Sequence, residues 1–155
     1  MNQAVIKFYR RLLSEDFPNS GGIETPSIFI EAVGEKLIDC GNTGNYMQLF
    51  LQVEGEHILD ARYLCACEPV ANVAVEILCS LLKGKTLDEA ANFSEEPFYQ
   101  ILGSQDEELR KKVLGLLEML NDGLTGYRAR QGSGETAAKS SPAGNKLNWD
   151  GVSSA

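Results

Sequence analysis

The fold of this chain is decided by the stretch YMQLFLQVEGEHILDARYLCACEPVANVAVEILCSLLKGKTLDEA, residues 46 to 90. Its beginning alternates apolar Met47, Leu49 and Leu51 with polar residues, which is typical of a strand with one buried face. A turn around Gly55 separates this segment from a second alternating run, ILDARYLC. The pattern predicts an antiparallel hairpin whose second strand ends at a pair of cysteines.

A buried helix follows the hairpin directly. Pro69 suits the first helical turn, where its missing N–H removes no hydrogen bond. Apolar residues cover more than half of the circumference of this helix: Val70, Val73, Ala74, Ile77, Leu78 and Leu81. Gly84 ends it, and the pattern from Thr86 to Glu89 is a capping box that begins another short helix.

The segments before residue 46 and after residue 90 are predicted to form two further helices and one strand. Behind an Asn2 cap, apolar residues at helical spacing predict a helix that ends before the loop Pro18–Gly22. SIFIEAV, which follows Pro26, predicts a short strand. Ser104 and Glu107 form a second capping pattern, which begins a long amphipathic helix. Together the segments predict an α+β domain, a small antiparallel sheet with helices packed mainly on one face.

The C-terminal segment differs in composition from the rest of the chain. QGSGETAAKSSPAGNKLNWDGVSSA has no apolar period and is rich in Gly, Ser, Ala and Asn, so burial cannot offset its ordering entropy. We therefore predict one domain over residues 1–128 and a disordered tail over residues 129–155. Trp149 is interpreted as a solvated aromatic of this tail, with a docking point for a partner as the alternative.

Charge and hydropathy exclude two classes of partner. The chain has 14 basic and 22 acidic residues, and no segment groups Lys and Arg with aromatics as a phosphate-binding surface requires. Nucleic acid is therefore not an expected partner. The N-terminal residues MNQAVIKFYRRLL are too short and too charged for a membrane span and lack the order of a secretory signal. The sequence predicts a cytoplasmic protein that does not bind membranes.

Three cysteines form a candidate metal site. Cys65 and Cys67 leave the same face of an extended strand with Cα atoms about 6.5 to 7 Å apart, at the outer edge of disulfide geometry. The sheet would bring the loop of Cys40 near them, and three thiolates suit iron or zinc. Glu68 or Asp39 could supply a fourth ligand. Without a secretory leader, reduced thiols are favoured over a disulfide framework. The alternative is that Cys65 is a small core residue.

The other reactive side chains do not form a catalytic set. Cys79 lies between the apolar face of its helix and the polar side that carries Asn72, Glu76 and Ser80, and it is interpreted as a core residue. His57, the single histidine, stands beside the hairpin turn among glutamates and is expected to be exposed. The sequence contains no visible acid–base pair or activated nucleophile, so we predict that the protein is not an enzyme.

Two motifs carry a resemblance to a known family. ILDARY on the second hairpin strand and LLKGKTLDEA after the buried helix are similar to segments of the NifU/IscU-type iron–sulfur cluster assembly scaffold. The similarity covers roughly residues 2 to 127. It implies a scaffold that holds a nascent cluster on three cysteines and an aspartate. It also implies partners: a cysteine desulfurase and other cluster-assembly proteins.

The ligand positions of that family carry other residues here. When the sequences are aligned on Met47, the family's Cys-Gly-Asp falls on Thr43, Gly44 and Asn45. The second cysteine falls on Glu68, one residue after Cys67. The third falls at Leu114 or Gly115. The resemblance therefore implies the scaffold fold with an altered ligand set.

The expected function follows from the fold and from the displaced thiols. The sequence predicts a scaffold-like protein of iron–sulfur cluster assembly that binds iron or a nascent cluster through Cys40, Cys65 and Cys67. A degenerate scaffold that acts only as a protein-interaction module is one alternative. A structural zinc-binding domain is the other.

Overall fold

A computed structural model describes residues 2–33 and 46–137 of the chain. Within these residues the chain forms three strands and five helices. In chain order they are α1 (Gln3–Ser14), β1 (Ile28–Val33), β2 (Tyr46–Glu54), β3 (His57–Ala66), α2 (Pro69–Leu82), α3 (Leu87–Ala91), α4 (Glu96–Leu102) and α5 (Glu107–Ala137).

The strands form one antiparallel sheet in the order β1-β2-β3. Ile30 lies opposite Leu49, and Leu49 in turn lies opposite Tyr63, so the apolar positions of the three strands share a face. Gly55 makes the hairpin turn with a φ of 63°, a value that glycine adopts without steric cost. The register shifts by one residue between Gln52 and Val53, which is a β-bulge. The predicted hairpin is confirmed.

The core lies between the inner face of the sheet and the helices. The sheet buries a set of apolar side chains: Ile28, Ala32, Met47, Leu49, Leu51, Ala61 and Tyr63. Helix α2 contacts β3, α1 and α4, and its apolar residues are buried nearly all round. On the opposite face of the sheet, Phe29 is about half exposed and packs against Phe50 at a ring distance of 5.3 Å. The α+β class and the one-sided packing of the helices are as predicted.

The N-terminal ends of α1, α3 and α5 show which of the predicted capping patterns are present. The Asn2 side chain accepts a hydrogen bond from the Val5 N–H at 2.9 Å, and the Thr86–Glu89 capping box is formed. At α5 the prediction was wrong, because Asp106 caps the helix by accepting from the Leu109 N–H at 3.0 Å. The Ser104 hydroxyl lies too far upstream to reach that N–H. It accepts instead from the Asn2 amide.

Helix α4 was not predicted. It has seven residues, too few to show a helical period in the sequence. Pro97 occupies its first turn, and Gly103 ends it with a φ of 84°. Phe98 and Tyr99 are buried, so this short helix adds to the core through tertiary packing.

The C-terminal helix extends further than expected. Helix α5 ends at Ala137, beyond residue 128, where we placed the end of the domain. The chain divides into two compact units, Met1–Asn121 and Asp122–Ala155, so the division also falls within α5. Residues 138–155 lie outside the described residues, and the disordered tail stays a prediction. None of the described helices is long and apolar enough to cross a membrane.

Candidate functional site

Cys65 and Cys67 lie together at the end of β3. Cys65 is opposite Met47 in the sheet, and Cys67 follows Ala66, the last residue of the strand. The two sulfurs form a disulfide, with the Cα atoms 5.6 Å apart. This distance is shorter than the value expected for one continuous strand, since β3 ends at Ala66, and it is an ordinary one for a disulfide. The structure therefore brings the two residues together as an oxidised pair, where we expected reduced thiols.

Glu68 lies beside this pair and forms an ion pair with Lys112. It occupies the N-cap position of α2, but its side chain caps no backbone N–H. Lys112 Nζ lies 3.2 Å from Glu68 Oε1, and the lysine side chain is only 7% exposed. Because Glu68 Oε1 has no aligned hydrogen-bond donor, the contact is electrostatic. A buried ammonium needs such an anionic partner, so the pair connects the start of α2 to α5.

The position of Lys112 shows which of the two candidate ligand positions on α5, Leu114 or Gly115, lies on the side that faces Glu68. Gly115 follows Lys112 by three residues, so the two lie on the same side of the helix, and both are buried. Leu114 is 40% exposed and faces away from that side. Of the two positions to which the resemblance assigns the third ligand, Gly115 is thus the one that faces the region of Glu68.

The remaining candidate ligands lie outside the described residues. These are Cys40, Thr43 and Asn45. Within residues 2–33 and 46–137, no three His, Cys, Asp or Glu side chains come together in a way that could hold a metal ion. A site of three cysteines therefore depends on Cys40, and its assembly stays a prediction.

A buried carboxylate lies between α2 and β3. Glu76 is 2% exposed, although we assigned it to the polar side of α2. It accepts hydrogen bonds from the Asn19 side-chain amide at 2.9 Å and from the Asn19 backbone N–H at 3.1 Å. The Tyr63 hydroxyl lies 3.0 Å from Glu76 Oε2 and 2.8 Å from Asn72 Oδ1. At Glu76 the polar side of α2 therefore faces protein, whereas Ser80 is exposed.

This network also keeps its neighbours protonated. Burial, and then the Glu76 carboxylate, raise the pKa of Tyr63 well above its usual value, so its hydroxyl acts as a hydrogen-bond donor. The same two causes raise the pKa of Cys79, which is fully buried. A thiol that stays neutral is a weak ligand and nucleophile, so Cys79 is a core residue, as predicted. His57 is exposed at the start of β3, also as predicted.

The sequence indicates some residues of this region clearly and others not at all. The Cys65–Cys67 pair is visible in the sequence because two residues on one strand share a face. Glu76 could have been found from its position alone, since it interrupts the apolar surface of a helix that is otherwise buried nearly all round. Lys112 gave no comparable signal, because it follows another lysine on a helix with an exposed side.

Comparisons with known proteins identify the family. The model of the NifU-like N-terminal domain matches residues 17–134, most of the chain. A comparison with curated protein sequences finds no match.

Solved structures share the fold at low sequence identity. A putative iron–sulfur cluster assembly scaffold protein for the SUF system from Fervidobacterium islandicum AW-1 is 15% identical, with a TM-score of 0.55 over 80% of this chain and 96% of its own. A NifU-like protein (N-terminal) from Brucella abortus is 11% identical, with a TM-score of 0.56 over 83% of this chain and 94% of its own. The chain belongs to the family of NifU-like N-terminal domains.

Proposed function

We propose that this protein holds iron or a nascent iron–sulfur cluster on the thiolates of Cys40, Cys65 and Cys67. One observation carries the proposal: Cys65 and Cys67 lie together at the end of β3, immediately before Glu68, the residue aligned with the family's second cysteine. A shift of one residue along the chain is enough for Cys67 to serve in its place. Once reduced, the pair offers two soft ligands from one short segment.

The Glu68–Lys112 ion pair is compatible with this shift. The Glu68 carboxylate is already paired with Lys112. Cys67 is therefore the nearest residue along the chain that would bind iron in its place. Thiolates add negative charge to bound iron, and a buried ammonium close to such an assembly stabilises it. Cys40, in the segment before β2, would be the third ligand.

The protein would act as a carrier of cargo without turnover of its own. By family, its partners would be a cysteine desulfurase, which supplies sulfur, and the proteins that receive the cluster. We place this activity in the cytoplasm, where thiols are kept reduced.

Anaerobic reconstitution tests the proposal. The reduced full-length protein should take up iron and sulfide, turn brown and gain broad visible absorption. Cys40→Ala, Cys65→Ala and Cys67→Ala should each lose most of the bound iron, whereas the matched control Cys79→Ala should retain it. Equal iron content in all four variants would exclude the site. Zinc without colour would assign the alternative of a structural zinc domain.

A second function is favoured by the same ion pair. If Glu68 and Lys112 fill the former ligand pocket, the chain is a scaffold that keeps the family's surfaces and binds no metal. In that case reconstitution should leave the protein colourless and free of metal. The protein should then still bind a purified desulfurase or scaffold of the family, with an affinity that chelators do not change.

A further inference from the structure

The disulfide between Cys65 and Cys67 conflicts chemically with a role for the same residues as ligands. A sulfur engaged in a disulfide carries no thiolate charge, and the thiolate is the form that binds iron. The protein therefore cannot hold the disulfide and a thiolate-bound metal on these residues at the same time.

We propose that Cys65 and Cys67 form a reversible dithiol–disulfide site, and that reduction of this site by a dithiol controls the loading of iron. The control of iron loading rests on the proposed function, whereas the reversible disulfide between Cys65 and Cys67 does not. The oxidised pair is the closed state and the reduced pair is the open state. The substrate of the site is a dithiol, either a small molecule or a protein with two neighbouring cysteines.

The location of the pair suits exchange with an external thiol. Both cysteines are only partly buried, and Ala66 between them is exposed. Cys65 is held within the strand opposite the fully buried Met47, whereas Cys67 lies beyond the last strand residue. We assign the attack to the sulfur of Cys67, the cysteine that lies outside the strand.

The reaction balances in two steps. A thiolate of the reductant attacks the Cys67 sulfur, the Cys65–Cys67 bond breaks, and Cys65 leaves as a thiolate that takes up a proton. The second thiol of the reductant, as its thiolate, then attacks the mixed disulfide and releases Cys67. The protein gains two electrons and two protons, and the reductant becomes its own disulfide.

The pair is poorly placed to serve as a structural staple. A disulfide stabilises a fold mainly by restricting the unfolded chain, and this effect grows with the length of the closed loop. Here the two cysteines are two positions apart in the sequence. The sheet and α2 already form an extensive apolar core, so the fold does not depend on a bridge between neighbours. A readily broken bond at this position can therefore switch without unfolding the domain.

Mass spectrometry of the full-length protein tests the redox pair without any metal. After oxidation with diamide, denaturation, alkylation and cleavage after glutamate, the peptide that contains Cys65 and Cys67 and ends at Glu76 should be unalkylated and lighter by two hydrogen atoms. After equilibration with reduced dithiothreitol it should carry two alkyl groups. Cys65→Ser and Cys67→Ser should lose the mass deficit, and the control Cys79→Ala should keep it. A peptide that is alkylated twice under both conditions would overturn the proposal.

A second measurement tests control over iron. The diamide-oxidised and the dithiothreitol-reduced forms are freed of these reagents without oxygen, given ferrous iron, and passed over a desalting column. Retention of iron by the reduced form alone supports the proposal. Equal retention by both forms overturns the control and also the assignment of Cys65 and Cys67 as ligands, because iron then binds without their thiolates. A protein whose pair stays reduced in the mass measurement and that still retains iron loses the redox pair alone and leaves the proposed function standing. If neither form retains iron, the control and the proposed function both fail, while the mass measurement still decides the redox pair separately.

Discussion

Lys83 Nζ lies 3.7 Å from Asp60 Oδ1 and thereby joins the two sequence motifs that carry the family resemblance. Asp60 belongs to the DAR segment of β3, where Arg62 Nε contacts its other oxygen at 3.1 Å. Lys83, which begins KGK after α2, also donates a hydrogen bond to the side-chain oxygen of Asn19. The residues that make this chain recognisable thus meet in one polar cluster. They hold a strand, a helix end and a loop together, and none of them is a candidate ligand.

The charge of Asp60 predicts how this cluster responds to pH. Partial burial raises the pKa of Asp60, but hydrogen bonds from Arg62 and the Ala61 N–H, with the charges of Arg62 and Lys83, outweigh it and lower the pKa below 3.8. The folded state therefore favours the carboxylate. Its contribution is complete above the unfolded pKa and is lost as the pH falls through the lower folded value.

Asp60→Asn measures that contribution. At neutral pH the variant should be less stable by under about 1 kcal/mol, because the ion pairs are partly exposed. The difference in urea midpoint between the variant and the wild type should shrink towards zero as the pH falls through the lowered pKa of Asp60, because the wild-type carboxyl is then protonated as well. A difference that stays constant with pH would mean that the charge of Asp60 does not stabilise the fold.

Glu76→Ala should destabilise the protein much more strongly. It removes the acceptor of the Asn19 N–H groups and of the Tyr63 hydroxyl in a buried site. The Asn19 backbone N–H loses its acceptor, whereas the Asn19 amide keeps Ser80 and the Tyr63 hydroxyl keeps Asn72. A loss of about 2 to 4 kcal/mol is therefore the expected result in urea unfolding. Glu118→Ala on the exposed side of α5 is the matched control and should change stability by under about 0.5 kcal/mol. Similar losses in the two variants would contradict the role given to Glu76.

The sequence predicts those features of the fold that depend on neighbours in the chain. The hairpin, α2 and the Thr86–Glu89 capping box follow from spacings of two to four residues, and each is present. Glu76 and Lys112 were missed because their partners are far away in the sequence: Glu76 bonds to Asn19, 57 residues earlier. The polar residue types predicted exposure, and tertiary packing overrode it. The spacing of Cys65 and Cys67 predicted that the two residues lie close together, but it did not predict the disulfide, because Cys67 lies beyond the end of β3.

The ion pair between Lys112 and Glu68 should show measurable coupling. A double-mutant cycle with Lys112→Met and Glu68→Gln should give about 1 to 3 kcal/mol, because Lys112 is buried. The exposed pair Arg11–Glu15, with side chains 58% and 46% exposed, provides a control cycle that should give under about 0.5 kcal/mol. Equal coupling in the two cycles would show that the buried pair does not hold α5 to the start of α2.

Two truncations should separate the tail from the end of α5. Removal of residues 138–155 should leave the thermal midpoint within about 2 °C, because their composition provides no periodic apolar surface. Removal of residues 131–155 also deletes the last seven residues of α5 and should lower the midpoint further. A large drop with the shorter truncation would show that the tail packs.

The altered ligand positions can be tested by restoring the family's residues. In a background with Cys40→Ser, Cys65→Ser and Cys67→Ser, the changes Thr43→Cys, Asn45→Asp and Glu68→Cys would supply two thiolates and a carboxylate. Gly115→Cys should complete the set, because position 115 lies on the buried side of α5 with Lys112. Leu114→Cys, the matched alternative, should not, because Leu114 is 40% exposed. The thiolate introduced at position 68 would also provide an anion for Lys112 in place of the lost carboxylate.

Reconstitution with iron and sulfide should therefore give a stable visible absorption band for the variant that carries Gly115→Cys and none for the variant that carries Leu114→Cys. Circular dichroism of both apo proteins, compared with the wild type, controls for misfolding. The opposite ranking would place Leu114 in the ligand register and would contradict the side of α5 assigned from the Glu68–Lys112 contact. If both variants are folded and colourless, the alignment holds for the fold and fails at the site. Any metal bound by the natural chain would then depend on Cys40, Cys65 and Cys67.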